Sequence, residues 1–168
     1  MMFHTKSLLV LTALVFCGFF SAAKADDDAQ CYTVASLKGT YATIGTYGAN
    51  LAIALGLRHF DGKGNQTGTF TLNEPTPGSS TGGRTIITGT QVGTYTVNCN
   101  GTGVFTRTLT TSNGVKTTQM DDFVITKATA KDDHFLATAL QDAQRTPSAI
   151  VAGGIFLTRS YTRLPDGD

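Results

Sequence analysis

Residues 51 to 72 read LAIALGLRHFDGKGNQTGTFTL. Both flanks are strand-like, and Asp61-Gly62-Lys63-Gly64-Asn65 lies between them. Two glycines and an Asn supply the positive φ angles that a tight reversal needs. The stretch predicts two strands folded back on each other. The same grammar repeats to the end of the chain. Thr is abundant, Gly is regular, and β-branched and aromatic residues fill the segments between turns.

Working outward gives eight strands: Leu37 to Tyr47, Asn50 to Phe60, Gln66 to Leu72, Arg84 to Val97, Val104 to Thr111, Val115 to Thr126, His134 to Leu140 and Ala149 to Tyr161. Glu74 to Gly83, with Pro75 and Pro77, reads as the longest loop, at one end of the fold. Asn113-Gly114 is the strongest two-residue hairpin signal. Every successive pair reads as a hairpin and no long crossover is visible. That favours a single eight-stranded antiparallel up-and-down barrel, whose closure removes exposed edges. A β-sandwich is the alternative.

The chain has 168 residues. The first 25 read as a signal peptide: Lys6, then an apolar run from Ser7 to Phe20, then an Ala-x-Ala pattern ending at Ala25. The run is shorter than the ~20 residues that span a bilayer. Residues 26 to 168 are then one domain, secreted or periplasmic, with no membrane span after cleavage. Loss of Lys6 and Lys24 from a chain with 13 Lys and Arg against 12 Asp and Glu leaves a charge of about −1. That is no footprint for nucleic acid. Cys31 and Cys99 are the cysteines that remain, and an exported pair is expected to form a disulfide.

Four motifs carry a resemblance. They are Cys31 before Ser36-Leu37-Lys38-Gly39-Thr40-Tyr41, then Phe60 to Asn65, then Gly93 to Thr102, then Asp122-Phe123-Val124-Ile125. Together they resemble a family of secreted bacterial proteins of uncharacterised role, over nearly the whole mature chain. More loosely, the layout is similar to calycin-type barrels, the lipocalins and the allene oxide cyclase group. Where lipocalins carry Gly-x-Trp on the first strand and a late Arg, this chain has Gly39-Thr40-Tyr41 and Arg159, and no Trp at all. The resemblance implies a barrel with a small apolar ligand or, failing that, a cyclase- or isomerase-like enzyme.

Residue chemistry adds little to this. Gly62-Lys63-Gly64 lacks the strand-to-helix context of a phosphate loop. Asp61 and Asn65 are too few oxygen donors for calcium. His59 and His134 have no Cys or third His with them, so no metal or cofactor is expected. No Gly-x-Ser-x-Gly elbow occurs. Glu74 is the only Glu, so no paired Glu site is evident. No catalytic residue is assigned, and a non-enzymatic binder is the leading reading; a structural protein of the cell envelope is the other alternative.

Three placements are specific enough to test. If Asn113-Gly114 is a two-residue loop, Arg107 faces Met120 and Phe105 faces Asp122. Arg107, Asp122, Phe105 and Met120 then share a face and form the candidate ligand-binding set, with Arg107 and Asp122 as a charged pair in an apolar wall. Tyr41 and Arg159 are expected to meet inside one end of the barrel, as a structural cation–π contact. Strands two and eight are apolar on both faces, so their outward residues are expected to merge into a patch that a second copy of the chain covers.

Overall fold

A computed structural model describes residues 31–47, 52–76, 82–147, 149–150 and 156–166. The proposed signal peptide lies outside these residues. Eight strands form a closed antiparallel barrel in sequence order: β1 (Lys38–Tyr47), β2 (Ala52–Asp61), β3 (Asn65–Pro75), β4 (Arg84–Val97), β5 (Thr102–Thr111), β6 (Lys116–Lys131), β7 (His134–Gln144) and β8 (Thr158–Arg163). Closure is by β1 against β8, with Tyr41 opposite Arg163 and Gly45 opposite Arg159. The barrel expected from the hairpin pattern is therefore the fold, and the sandwich is not.

The β2–β3 turn forms for the anticipated reason. Gly62 and Gly64 sit at φ +75° and +99°. The Asp61 carboxylate adds a clamp, accepting from Lys63 N at 2.7 Å, Asn65 N at 3.0 Å and Asn65 Nδ2 at 2.7 Å. Those bonds hold its pKa down at about 2. Asp61 thus serves the turn with the side chain that resembled a calcium ligand.

One end of the barrel is stopped by a short 3-10 turn, Val34–Ser36. The Tyr95 hydroxyl donates to Leu37 O at 2.8 Å and to Val34 O at 3.0 Å, which fixes the stopper to β4. Cys31 and Cys99 are disulfide-bonded across a separation of 68 residues, tying the start of the described chain to the β4–β5 turn. Behind the stopper lies an aromatic core of Tyr41, Phe60, Tyr95, Phe105, Phe123 and Tyr161 with Leu37 and Leu140. Phe105 stacks on Phe123 at 4.2 Å between centroids, and Phe60 meets Tyr41 and Tyr95 edge-on at 5.3 and 5.2 Å.

Several boundaries differ from the sequence reading. β3 runs on past Leu72 to Pro75, so Glu74 lies in a strand and not in the long loop, and β7 runs on past Leu140 to Gln144. Strand six does not stop at Thr126: β6 runs on to Lys131, carrying a bulge between Ile125 and Ala128. The β6–β7 reversal then needs a left-handed residue, and Asp132 takes it at φ +52°. The anticipated strand eight is described only in part: Ala149 and Ile150 lie in a turn, residues 151–155 are outside the described residues, and β8 itself runs from Thr158 to Arg163.

A further difference is one of register. Asn113-Gly114 does not make a two-residue loop. Thr111 N donates to Val115 O at 2.9 Å, so the loop is Ser112-Asn113-Gly114. Gly114 sits at φ +87° and Asn113 has no positive φ, the signature of a three-residue loop whose last member is left-handed. Arg107 therefore faces Gln119, and Phe105 faces Asp121. A one-residue slip turns every side chain of β6 over. Asp122 and Met120 accordingly belong to the outer face, and Asp121 replaces Asp122 inside.

Candidate functional site

The inner face is built in layers, one for every second residue. On β2 the order is Phe60, Arg58, Gly56; on β5 it is Phe105, Arg107, Leu109. On β6 it is Phe123, Asp121, Gln119, and on β8, extended by Leu157, it is Tyr161, Arg159, Leu157. An aromatic layer thus underlies a charged layer, which underlies an apolar one. Each Arg of the middle layer lies directly across from a Gly on the next strand: Arg58 from Gly68, Arg107 from Gly93, Arg159 from Gly45. The reason is space. A Cβ on Gly45 would sit 2.5 Å from Arg159 Cγ, and one on Gly93 would sit 2.7 Å from Arg107 Cα.

Two carboxylates share the layer. Asp121, fully buried, accepts from Arg107 Nε at 2.6 Å and from Arg159 Nη2 at 2.5 Å. Burial pushes its carboxyl up, but Arg159 and Arg107 outweigh that and hold it below the usual range. Asp142 accepts from Arg159 Nε at 3.0 Å and from the Tyr161 hydroxyl. For Arg159 burial opposes the charge, yet Tyr161, Asp142 and Asp121 prevail and raise its pKa. The Tyr161 phenol is raised chiefly by burial.

Arg58 is different. It is 1% exposed and makes no ion pair among the described residues. Its Nη2 donates to Gln91 Oε1 at 3.1 Å, and the same oxygen accepts from Arg107 Nη1 at 3.0 Å. Its Nε and Nη1 have no acceptor among the described residues. Its guanidinium lies 5.3 Å from the Phe105 ring centre and 5.0 Å from that of Tyr161, so its main compensation is two aromatic faces. Burial, with Arg107 and Arg159 nearby, lowers its pKa to about 10, which leaves it charged at neutral pH.

Above the charged layer is a cavity of about 40 Å3, counted as space open to water centres. Arg58, Arg107, Arg159, Gln91 and Gln119 border it on one side, and Leu72, Leu109, Leu157, Phe70 and Ala54 on the other. One water needs ~10–15 Å3 on that measure, so a handful of non-hydrogen atoms fit. The space exists because β2 turns its small residues inward. Ala54, Leu55 and Gly56 border the cavity, but Leu55 is about half exposed, as are Ile53 and Leu57.

Of the anticipated ligand set, Arg107 and Phe105 are inside, 3% and 0% exposed. Phe105 belongs to the aromatic layer below the cavity. Asp122 is about half exposed and forms an outer pair with Arg145, Nη2 to Oδ1 at 2.7 Å, so the expected Arg107–Asp122 pair is replaced by Arg107–Asp121. Met120 lies on that same outer face, its backbone N bonded to Thr146 Oγ1. Tyr41 and Arg159 are both buried, but they are not across from each other. Tyr41 faces Arg163, and its hydroxyl donates to Ala137 O at 2.6 Å. The cation over aromatic rings is Arg58. Arg159 sits two inner-face positions further along and is committed to carboxylates.

The sequence reading missed Arg58, Asp121, Asp142, Gln91 and Tyr161. A signal was present: Arg58 with Phe60, Arg107 with Phe105, Asp121 with Phe123 and Arg159 with Tyr161 repeat a charge two residues from an aromatic. His59 and His134 border one depression near the stoppered end, beside Arg163. Among the described residues no three His, Cys, Asp or Glu are grouped to hold a metal ion. No helix among them is long and apolar enough to cross a membrane. Compared with known proteins, the chain matches no family model, no curated protein and no solved structure.

Proposed function

We propose that this is an exported, non-enzymatic binding protein that holds one small, largely apolar molecule inside its barrel. The observation that carries this is the unfilled space between the charged layer and Leu72, Leu109 and Leu157. Eight-stranded barrels either fill their interior with side chains or hold one such ligand. Here aromatics fill one end, and among the described residues a cavity lies above the charged layer. The likeness to calycin barrels is consistent with the closed up-and-down strand order. Export rests on the leader pattern of residues 1 to 25 and on the disulfide. The test is native mass spectrometry of the protein purified from its own host. A retained mass of a small organic molecule is the expected result; a ligand-free mass, with no uptake of added small apolar compounds, would defeat the reading.

Self-association is part of the same proposal. Ile44 on β1 and Ile53, Leu55 and Leu57 on β2 are about half exposed, and Ile44 lies directly across from Leu55. Of the anticipated strand-eight contribution, Phe156 is about half exposed, and residues 151–155 lie outside the described residues. The outward residues of β8 are Thr158, Ser160 and Thr162, so β8 contributes no apolar surface to it.

A further inference from the structure

We infer that the ligand carries a carboxylate, and that Arg58 is the residue that binds it. The inference rests on the cavity-binding reading above and narrows its chemistry. Among the described residues, three guanidiniums and two carboxylates share the charged layer, leaving one buried positive charge unmatched. Glu74 does not neutralise it. Glu74 lies six residues along β3 from Gly68, the partner of Arg58, which is roughly 20 Å of strand. Burial lifts its carboxyl, and the opposing charge is Arg84.

The unmatched cation is Arg58, because Asp121 takes Arg107 and Arg159, and Asp142 takes Arg159 again. Buried charges are ordinarily paired, and a guanidinium with two orphaned nitrogens is costly to keep. Arg58 borders the cavity, as does Gln91, whose one neutral oxygen bridges Arg58 and Arg107. A carboxylate oxygen accepting at that bridge would be a stronger acceptor for both, since hydrogen bonds between ionised groups are shorter and stronger than neutral ones. Leu72, Leu109 and Leu157 would then enclose a short apolar body. The cavity limits that body to a few carbon atoms.

The test compares butyrate with butyramide, which has the same shape and no charge, by calorimetry on the full, disulfide-bonded chain. Butyrate should bind at least tenfold more tightly. Arg58→Met should erase the preference while raising the thermal midpoint of the ligand-free protein, because it removes an unmatched buried charge. Gln91→Glu should place a carboxylate on the bridge from within the chain, raising the midpoint and abolishing butyrate binding. Equal affinity for butyrate and butyramide would overturn the assignment of Arg58 while leaving a binding cavity. Binding of neither would overturn both. Displacement of butyrate by chloride at equal concentration would also overturn the carboxylate assignment, in favour of an inorganic anion site.

Discussion

Asp121 and Asp122 are neighbours with opposite fates. Asp121 is enclosed by Arg107 and Arg159, whereas Asp122 meets Arg145 at the surface. Asp121→Ala leaves the buried Arg107 guanidinium without its carboxylate, while Arg159 keeps Asp142, and should cost about 3–5 kcal/mol in urea unfolding. Asp122→Ala removes an exposed pair and should cost less than about 1 kcal/mol. The reverse ranking would mean that β6 is turned over. The pH dependence has a definite sign. Asp121 is held below its ordinary pKa in the fold, so its contribution is complete above about pH 4. It is lost as pH falls through the folded value. Urea midpoints of wild type and Asp121→Asn should therefore converge in acid and diverge towards neutrality.

Turns set the register of whole strands here. Asp61 clamps the β2–β3 reversal with a carboxylate depressed to about 2. Hydrogen exchange in the 62–65 turn should quicken as pH drops from about 4 towards 2, after correction for the intrinsic rate. Asp61→Ala should show the fast rate at all pH values; equal protection in both proteins would remove Asp61 from the turn. The β5–β6 hairpin depends on Gly114 at φ +87°. Gly114→Ala forces a Cβ into the left-handed region and should cost about 1–2 kcal/mol by thermal unfolding. Gly114→Asn, which tolerates that region better, should cost less. If Asn113 were instead a left-handed member of a two-residue turn, Asn113→Ala would be the damaging change.

Across the molecule, the stoppered end is held by the disulfide. A bridge closing 68 residues contributes about 4 kcal/mol on chain-entropy grounds. Cys31→Ser with Cys99→Ser should lower unfolding stability by an amount of that order, measured in urea. The outer patch of Ile44, Ile53, Leu55 and Leu57 belongs to this scale too. Sedimentation at tens of micromolar should show a dimer or larger species, and Leu55→Lys should return it to a monomer. A wild-type monomer at high micromolar concentration would show that the patch is not a self-contact.

Local chemistry determined the number of strands, most of their turns and the disulfide. A Gly-rich reversal and a two-residue period act over a few residues, and Cys31 and Cys99 pair with each other. The tertiary structure decided which face of each strand looks inward. Asn113-Gly114 fits loops of two or three residues, and one residue decides whether Asp121 or Asp122 is buried. On β2 the leucines advertise a core face, yet Ala54, Gly56 and Arg58 line the interior. Whether Arg58 can lie there depends on the space left by Gly68, on β3, and the acceptor it uses, Gln91, comes from β4. Its lack of a carboxylate is settled by where Asp121 and Asp142 fall on β6 and β7. Gly68 is ten positions from Arg58, but Gln91, Asp121 and Asp142 are more than thirty away, and only the assembled barrel brings them to one layer.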